Sequence, residues 1–170
     1  YPLSFFEPKV HRIRRQMPDA RELEDAIAAL KAAKRPAIIA GGGVQYGKAV
    51  AELTHFAESC GIPVIETIAG RANLLADHPL NIGPVGVTGS DSGNWLAERA
   101  DVILSVGSRL QDFTTGSWTA FAEDAQFISL NTARHDAGKH RALPLVGDAK
   151  LGLQALSAQM ETYRAPAAWV

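Results

Sequence analysis

Two short apolar runs, each closed by glycine, set the tightest limit on what this chain can fold into. Ala37-Ile38-Ile39-Ala40 leads into Gly41-Gly42-Gly43, and Asp101-Val102-Ile103-Leu104-Ser105-Val106 leads into Gly107. Neither run alternates with polar residues, so a strand built from it must be covered on both faces. Helical patterns lie between and around them. Asp19 is placed to cap a helix with Leu23, Ala26, Ile27 and Leu30 on one face, acids early and Lys31, Lys34 and Arg35 late, which Pro36 ends. A second helix from about Lys48 to Ser59 carries Val50, Leu53, Phe56 and Ala57, and Gly61 stops it before the strand Pro63-Val64-Ile65-Glu66. After a loop holding Asp77-His78-Pro79, a helix over Ser92 to Arg99 feeds the second glycine-closed run. Gln126 to Leu130 and Leu143 to Val146 read as further strands, and Asp148 caps a last helix through Leu151, Leu153 and Leu156.

Strands that alternate with helices pair in parallel, because the crossover helix returns the chain to the same end of the sheet. The pattern therefore predicts an α/β fold: a doubly wound, mainly parallel sheet of five or six strands with helices on both faces, Rossmann-like. At 170 residues one core suffices. Charge is nearly balanced, 17 Lys and Arg against 18 Asp and Glu, which supplies no basic field for nucleic acid or an anionic membrane. No apolar run approaches the roughly 18 residues that span a bilayer. A single cysteine, Cys60, rules out an internal disulfide framework and fits a cytoplasmic location. Prolines 2, 8 and 18 break the opening segment, and Pro166 follows the last helix. Residues 1–18 thus read as an interdomain linker, 19–162 as the domain, and 163–170 as the start of a second linker.

The glycines after the first strand pose the functional question. A helix N-terminus at a strand's carboxyl end offers N–H groups to a phosphate, and glycine lets the backbone approach it. Gly41, Gly43 and Gly47 are spaced one residue wider than the dinucleotide fingerprint, so a permissive turn is an equal reading. Glu66, about 25 residues on from the glycines, stands where an acid would hold a ribose hydroxyl. Arg109, after the second run, can pair with a phosphate with Asp112 orienting it, or form a surface ion pair. His11, His55, His78, His135 and His140 show no ligand spacing, so no metal site is assigned. Ser90-Asp91-Ser92 suits a helix cap better than a nucleophile, and no catalytic residue is assigned.

The succession AIIAGGGV, ADHPLNIGPVG, ERADVILSVGSRLQDF, FISLNTARHDAGK and LPLVGDAK resembles the central domain of thiamine diphosphate dependent enzymes of the acetohydroxyacid synthase and pyruvate oxidase group. Gln111 to Trp118 and His135 to His140 are most similar to the branch that hydrolyses a cyclic trihydroxy-1,2-diketone in inositol catabolism. The resemblance implies a parent chain of three domains, in which a pyrimidine-binding and a diphosphate-binding domain hold thiamine diphosphate and Mg mainly outside this segment. It implies a homo-oligomer and a segment inactive by itself. In flavin-binding relatives the central domain holds FAD with residues that fall here on Gly42, Gly43, Arg109 and an acid after the fourth strand. That acid is replaced by Asn131 in Leu130-Asn131-Thr132, which implies an FAD or ADP crevice that is empty or weakly occupied. Two other readings stay open: a stand-alone NAD- or FAD-binding oxidoreductase domain, and a nucleotide-sensing module.

Overall fold

Six strands form a sheet in which every pairing is parallel. A computed structural model describes residues 1–10 and 14–169; His11 and Val170, and with them part of each expected linker, lie outside the described residues. The strands are β1 (Pro36–Ala40), β2 (Val64–Glu66), β3 (Asn81–Pro84), β4 (Val102–Val106), β5 (Gln126–Asn131) and β6 (Leu143–Val146). Their order across the sheet is β3-β2-β1-β4-β5-β6. The four longest helices are α1 (Ala20–Ala32), α3 (Val50–Cys60), α4 (Asp91–Arg99) and α7 (Ala149–Gln159), with short turns α2 (Gly42–Tyr46), α5 (Asp112–Thr115) and α6 (Arg134–Ala137) between strands.

Alternation on each strand divides the core in two. Ile38 and Ala40 of β1, Leu104 and Val106 of β4 and Ile128 and Leu130 of β5 face α1, α3 and α7. Ala37, Ile39, Ile103 and Phe127 face the other way, onto Leu96 and Ala97 of α4 and onto Leu110 and Phe121. Both sides of β1 and β4 are thereby covered, which is why neither run alternates with polar residues and only Ser105 interrupts the apolar sequence. The far face holds one long helix; aromatic side chains of the connection from β4 to β5 cover the rest.

Capping follows the sequence closely. The Asp19 carboxylate accepts from the Arg21 and Glu22 amides, Ser90 from Gly93, and Asp148 from Lys150 and Leu151. Glu22 also accepts from the Val146 amide at 2.8 Å, tying α1 to the edge strand β6.

Both expected linkers contain stretches that pack on the domain. Pro18 is buried, the Asp148 amide donates to the Gln16 carbonyl (2.8 Å), and Arg15 meets both Asp148 carboxylate oxygens at 2.8 Å. At the other end the Ala165 amide donates to the Cys60 carbonyl (2.7 Å) and the Trp169 indole N–H to the Pro36 carbonyl (2.8 Å). The Trp169 ring stacks on Trp95 of α4, with centroids 6.1 Å apart. Residues 163–169 thus close the amino-terminal side of the sheet.

Candidate functional site

The chain leaves β1 toward β2 on one side and returns to β4 on the other, so adjacent strands β1 and β4 send their connections to opposite sides. A crevice opens beyond the strand ends at such a switch point. Here it is a cleft of about 500 Å³, and Gly42, Gly43, Arg109 and Asn131, the four residues expected to form a nucleotide site, all line it. Thr67 and Asp136 contribute from the β2 and β5 connections.

The geometry gives the glycines a definite job. Gly41 and Gly43 donate their N–H groups to the carbonyls of Val106 and Gly107, at 2.8 and 2.9 Å. The turn after β1 is thus bound, backbone to backbone, to the turn after β4. A Cβ on Gly43 would sit 2.6 Å from the Gly107 Cα, and Gly107 itself has φ +62°. Two of the N–H donors of a phosphate cradle are used by this contact. The Gly42 N–H, at the start of α2, has no backbone partner among the described residues. The permissive-turn reading therefore accounts for Gly41 and Gly43, and Gly42 retains a donor at the cleft.

Asn131 is engaged as well. Its Nδ2 donates to the Ser108 carbonyl at 2.9 Å, and its Oδ1 accepts from the Ala133 amide at 2.9 Å. The amide is a strut joining the ends of β4 and β5 under the cleft, a role that a carboxylate, having no N–H, could not fill. Arg109 is exposed and donates to the Gln111 side chain at 3.1 Å; Asp112, expected to orient it, instead opens α5. Lys139 pairs with Asp136 at 2.6 Å and donates to the Arg109 carbonyl at 3.0 Å, so the cation at the mouth is Arg109.

Glu66 does not serve the cleft. It is buried, and its Oε1 accepts from the amides of Asn73 (2.9 Å) and Leu74 (3.1 Å), shaping the loop after β2. The oxidoreductase reading, which gave Glu66 to a ribose, loses its acid. His78, one of the histidines without ligand spacing, lies 3.1 Å from the Glu58 carboxylate. Among the described residues no group of three or more His, Cys, Asp or Glu side chains is placed to hold a metal ion. No described helix is long and apolar enough to cross a membrane. Cys60 is fully buried, and burial pushes its thiol pKa up. Sequence reasoning overlooked Thr67 and Asp136 as cleft residues; both follow a strand end directly or within one short turn, which is the signal that marks them.

Fold and cleft together define an α/β domain with a crevice at the switch point of its parallel sheet, where the Gly41, Gly43 and Asn131 donors are taken up within the protein. A family model for the thiamine pyrophosphate enzyme central domain matches residues 23–156, and the chain belongs to that family. It is 41% identical over 165 residues to a 3D-(3,5/4)-trihydroxycyclohexane-1,2-dione hydrolase of Shouchella clausii, covering 96% of this chain and 26% of the relative. It is 40% identical over 163 residues to the protein of that name from Geobacillus thermodenitrificans, covering 96% of this chain and 25% of the relative. The chain thus spans about a quarter of the length of these curated relatives. A crystal structure from Mycobacterium smegmatis, assigned as a thiamin diphosphate-dependent enzyme, superposes with a TM-score of 0.72 at 25% identity, over 95% of this chain and 31% of the other.

Proposed function

We propose that this domain is the non-catalytic central domain of a hydrolase that opens 3D-(3,5/4)-trihydroxycyclohexane-1,2-dione by C–C cleavage in inositol catabolism. The observation that carries the reading is identity of about 40% to hydrolases of that name along 96% of the chain. Domain 19–162 supplies the architecture, and residues 1–18 and 163–170 connect it to a pyrimidine-binding and a diphosphate-binding domain of a homo-oligomeric, cytoplasmic enzyme.

The residues present do not fit thiamine diphosphate and its magnesium ion. Two glycine N–H groups of the cradle are spent on Val106 and Gly107, and no metal-holding carboxylate or histidine group is assembled among the described residues. Both would be held by the neighbouring domains, and no catalytic step is assigned to this chain. Gly42, Gly43, Arg109 and Asn131 form the remnant of a nucleotide crevice, in which FAD or ADP binds weakly or not at all. The strut from Asn131 to Ser108 supports this, since a nucleotide would have to compete with bonds the fold already makes.

The test is an assay of the full-length polypeptide with the cyclic diketone. Ring opening that requires added thiamine diphosphate and magnesium supports the reading, and absence of turnover with both present contradicts it. Thermal shift with FAD, NAD and ADP checks the crevice: no rise is expected, and a rise of many degrees with any of them reverses that part.

A further inference from the structure

Glu66 brings a carboxylate to the edge of an apolar core. It closes β2 in register with Ala40 of β1 and Pro84 of β3, neither of which offers a side-chain donor, and it is only 2% exposed. Val64, Ala40 and Leu74, its neighbours along and beside the strand, all belong to the apolar cluster under α1, α3 and α7. One carboxylate oxygen is served: Oε1 accepts from the Asn73 and Leu74 amides, whereas no donor reaches Oε2 among the described residues. None of the ion pairs formed by the described residues includes Glu66. Asn73, bound to it through that amide, repeats the shortage. Its Nδ2 donates to the Gly41 carbonyl at 3.0 Å, which fixes the side-chain amide and leaves Oδ1 as an acceptor, buried and without a partner among the described residues. Two neighbouring buried groups, one of them a carboxylate with no counter-charge, thus each hold an oxygen that lacks a donor, and both deficits are costly in an apolar setting.

We infer that Glu66 and Asn73 form a binding site for one singly charged cation of the potassium or ammonium class, shared by Glu66 Oε2 and Asn73 Oδ1. Charge selects the ion. A single carboxylate balances a single positive charge, whereas sites for calcium gather several carboxylates, and no group of three or more His, Cys, Asp or Glu side chains is placed to hold a metal among the described residues. Burial selects it further, because an ion held here gives up most of its water, which magnesium does reluctantly. The cation ties the end of β2 to the loop that follows it and, through Asn73 and the Gly41 carbonyl, to the turn after β1. Neither Glu66 nor Asn73 lines the cleft, so this site is separate from the nucleotide crevice and does not depend on the hydrolase reading.

Hydrogen–deuterium exchange of the full-length polypeptide reads the site locally. Peptides covering residues 67–75 should exchange several-fold more slowly in potassium or ammonium chloride than in tetramethylammonium chloride of equal ionic strength, whose methyl groups prevent coordination by oxygen. Peptides from the buried strand β4 should not respond. In Glu66→Gln the choice of salt should make no difference, because the amide keeps an acceptor for the two backbone N–H groups and supplies an N–H of its own for Asn73 Oδ1. Equal exchange of residues 67–75 in all three salts for the wild type would overturn the inference and leave the shared donor as a neutral one. An equal response in wild type and Glu66→Gln would overturn it too, by assigning the effect to salt acting elsewhere. If the variant does not fold, wild-type crystals soaked in thallium(I), which replaces potassium, decide the matter. An anomalous peak between Glu66 and Asn73 supports the site, and density there with no anomalous signal sinks it.

Discussion

At position 131 an amide does what a carboxylate cannot. Asn131 donates to the Ser108 carbonyl and accepts from the Ala133 amide, so both ends of one planar group are used. Asn131→Asp removes the donor and turns an oxygen toward a carbonyl oxygen. The loss should be about 1–3 kcal/mol, the cost of an unsatisfied buried acceptor with added repulsion. Urea denaturation checks it; an unchanged midpoint would show that the strut contributes nothing. Cys60 tests burial in another way. Its thiol pKa is raised by desolvation, so the folded state keeps the proton after the unfolded chain has released it. Stability linked to Cys60 is therefore complete below about pH 8.5 and declines above it, where the unfolded thiol ionises. The decline should be absent in Cys60→Ala, and native Cys60 should resist iodoacetamide until the protein unfolds.

The start of α7 and the carboxyl-terminal segment are each held by side-chain contacts whose loss should cost stability. Asp148 caps α7 through Lys150 and Leu151 and also holds Arg15, so Asp148→Ala removes a cap and an anchor together. A loss of about 1–2 kcal/mol is expected, at the upper end for a cap, and differential scanning calorimetry reads it. Trp169→Ala leaves the Pro36 carbonyl without its donor and unstacks Trp95. That should cost about 1–3 kcal/mol, and a melting temperature equal to wild type would mean the terminal segment is a free tail. Elements with strong local chemistry were legible in the sequence. Asp19, Ser90 and Asp148 announce their helices, Gly61 ends α3, and the apolar runs of β1 and β4 admit no other placement. Strand β3 was not legible, because Asn81-Ile82-Gly83-Pro84 combines poor strand formers at a half-buried edge, and tertiary pairing with β2 decides it. Nor was α2, since Gly42 and Gly43 favour helix only once Gly43 is bound to Gly107.

For the whole molecule, the cleft was readable because position follows topology: residues after β1, β4 and β5 must meet wherever the strand order is β1-β4-β5. What each residue does there was not readable. Glu66 looks like a ligand contact by spacing and Asn131 by the family resemblance, yet each is committed to neighbouring backbone that the sequence does not reveal. In the proposed function this domain shapes and supports while other domains carry out the chemistry. Incubating the 170-residue polypeptide alone with the cyclic diketone, thiamine diphosphate and magnesium, and following formation of the ring-opened acid, tests this most directly. The account predicts no product above the protein-free control, whereas turnover by this chain alone would contradict it.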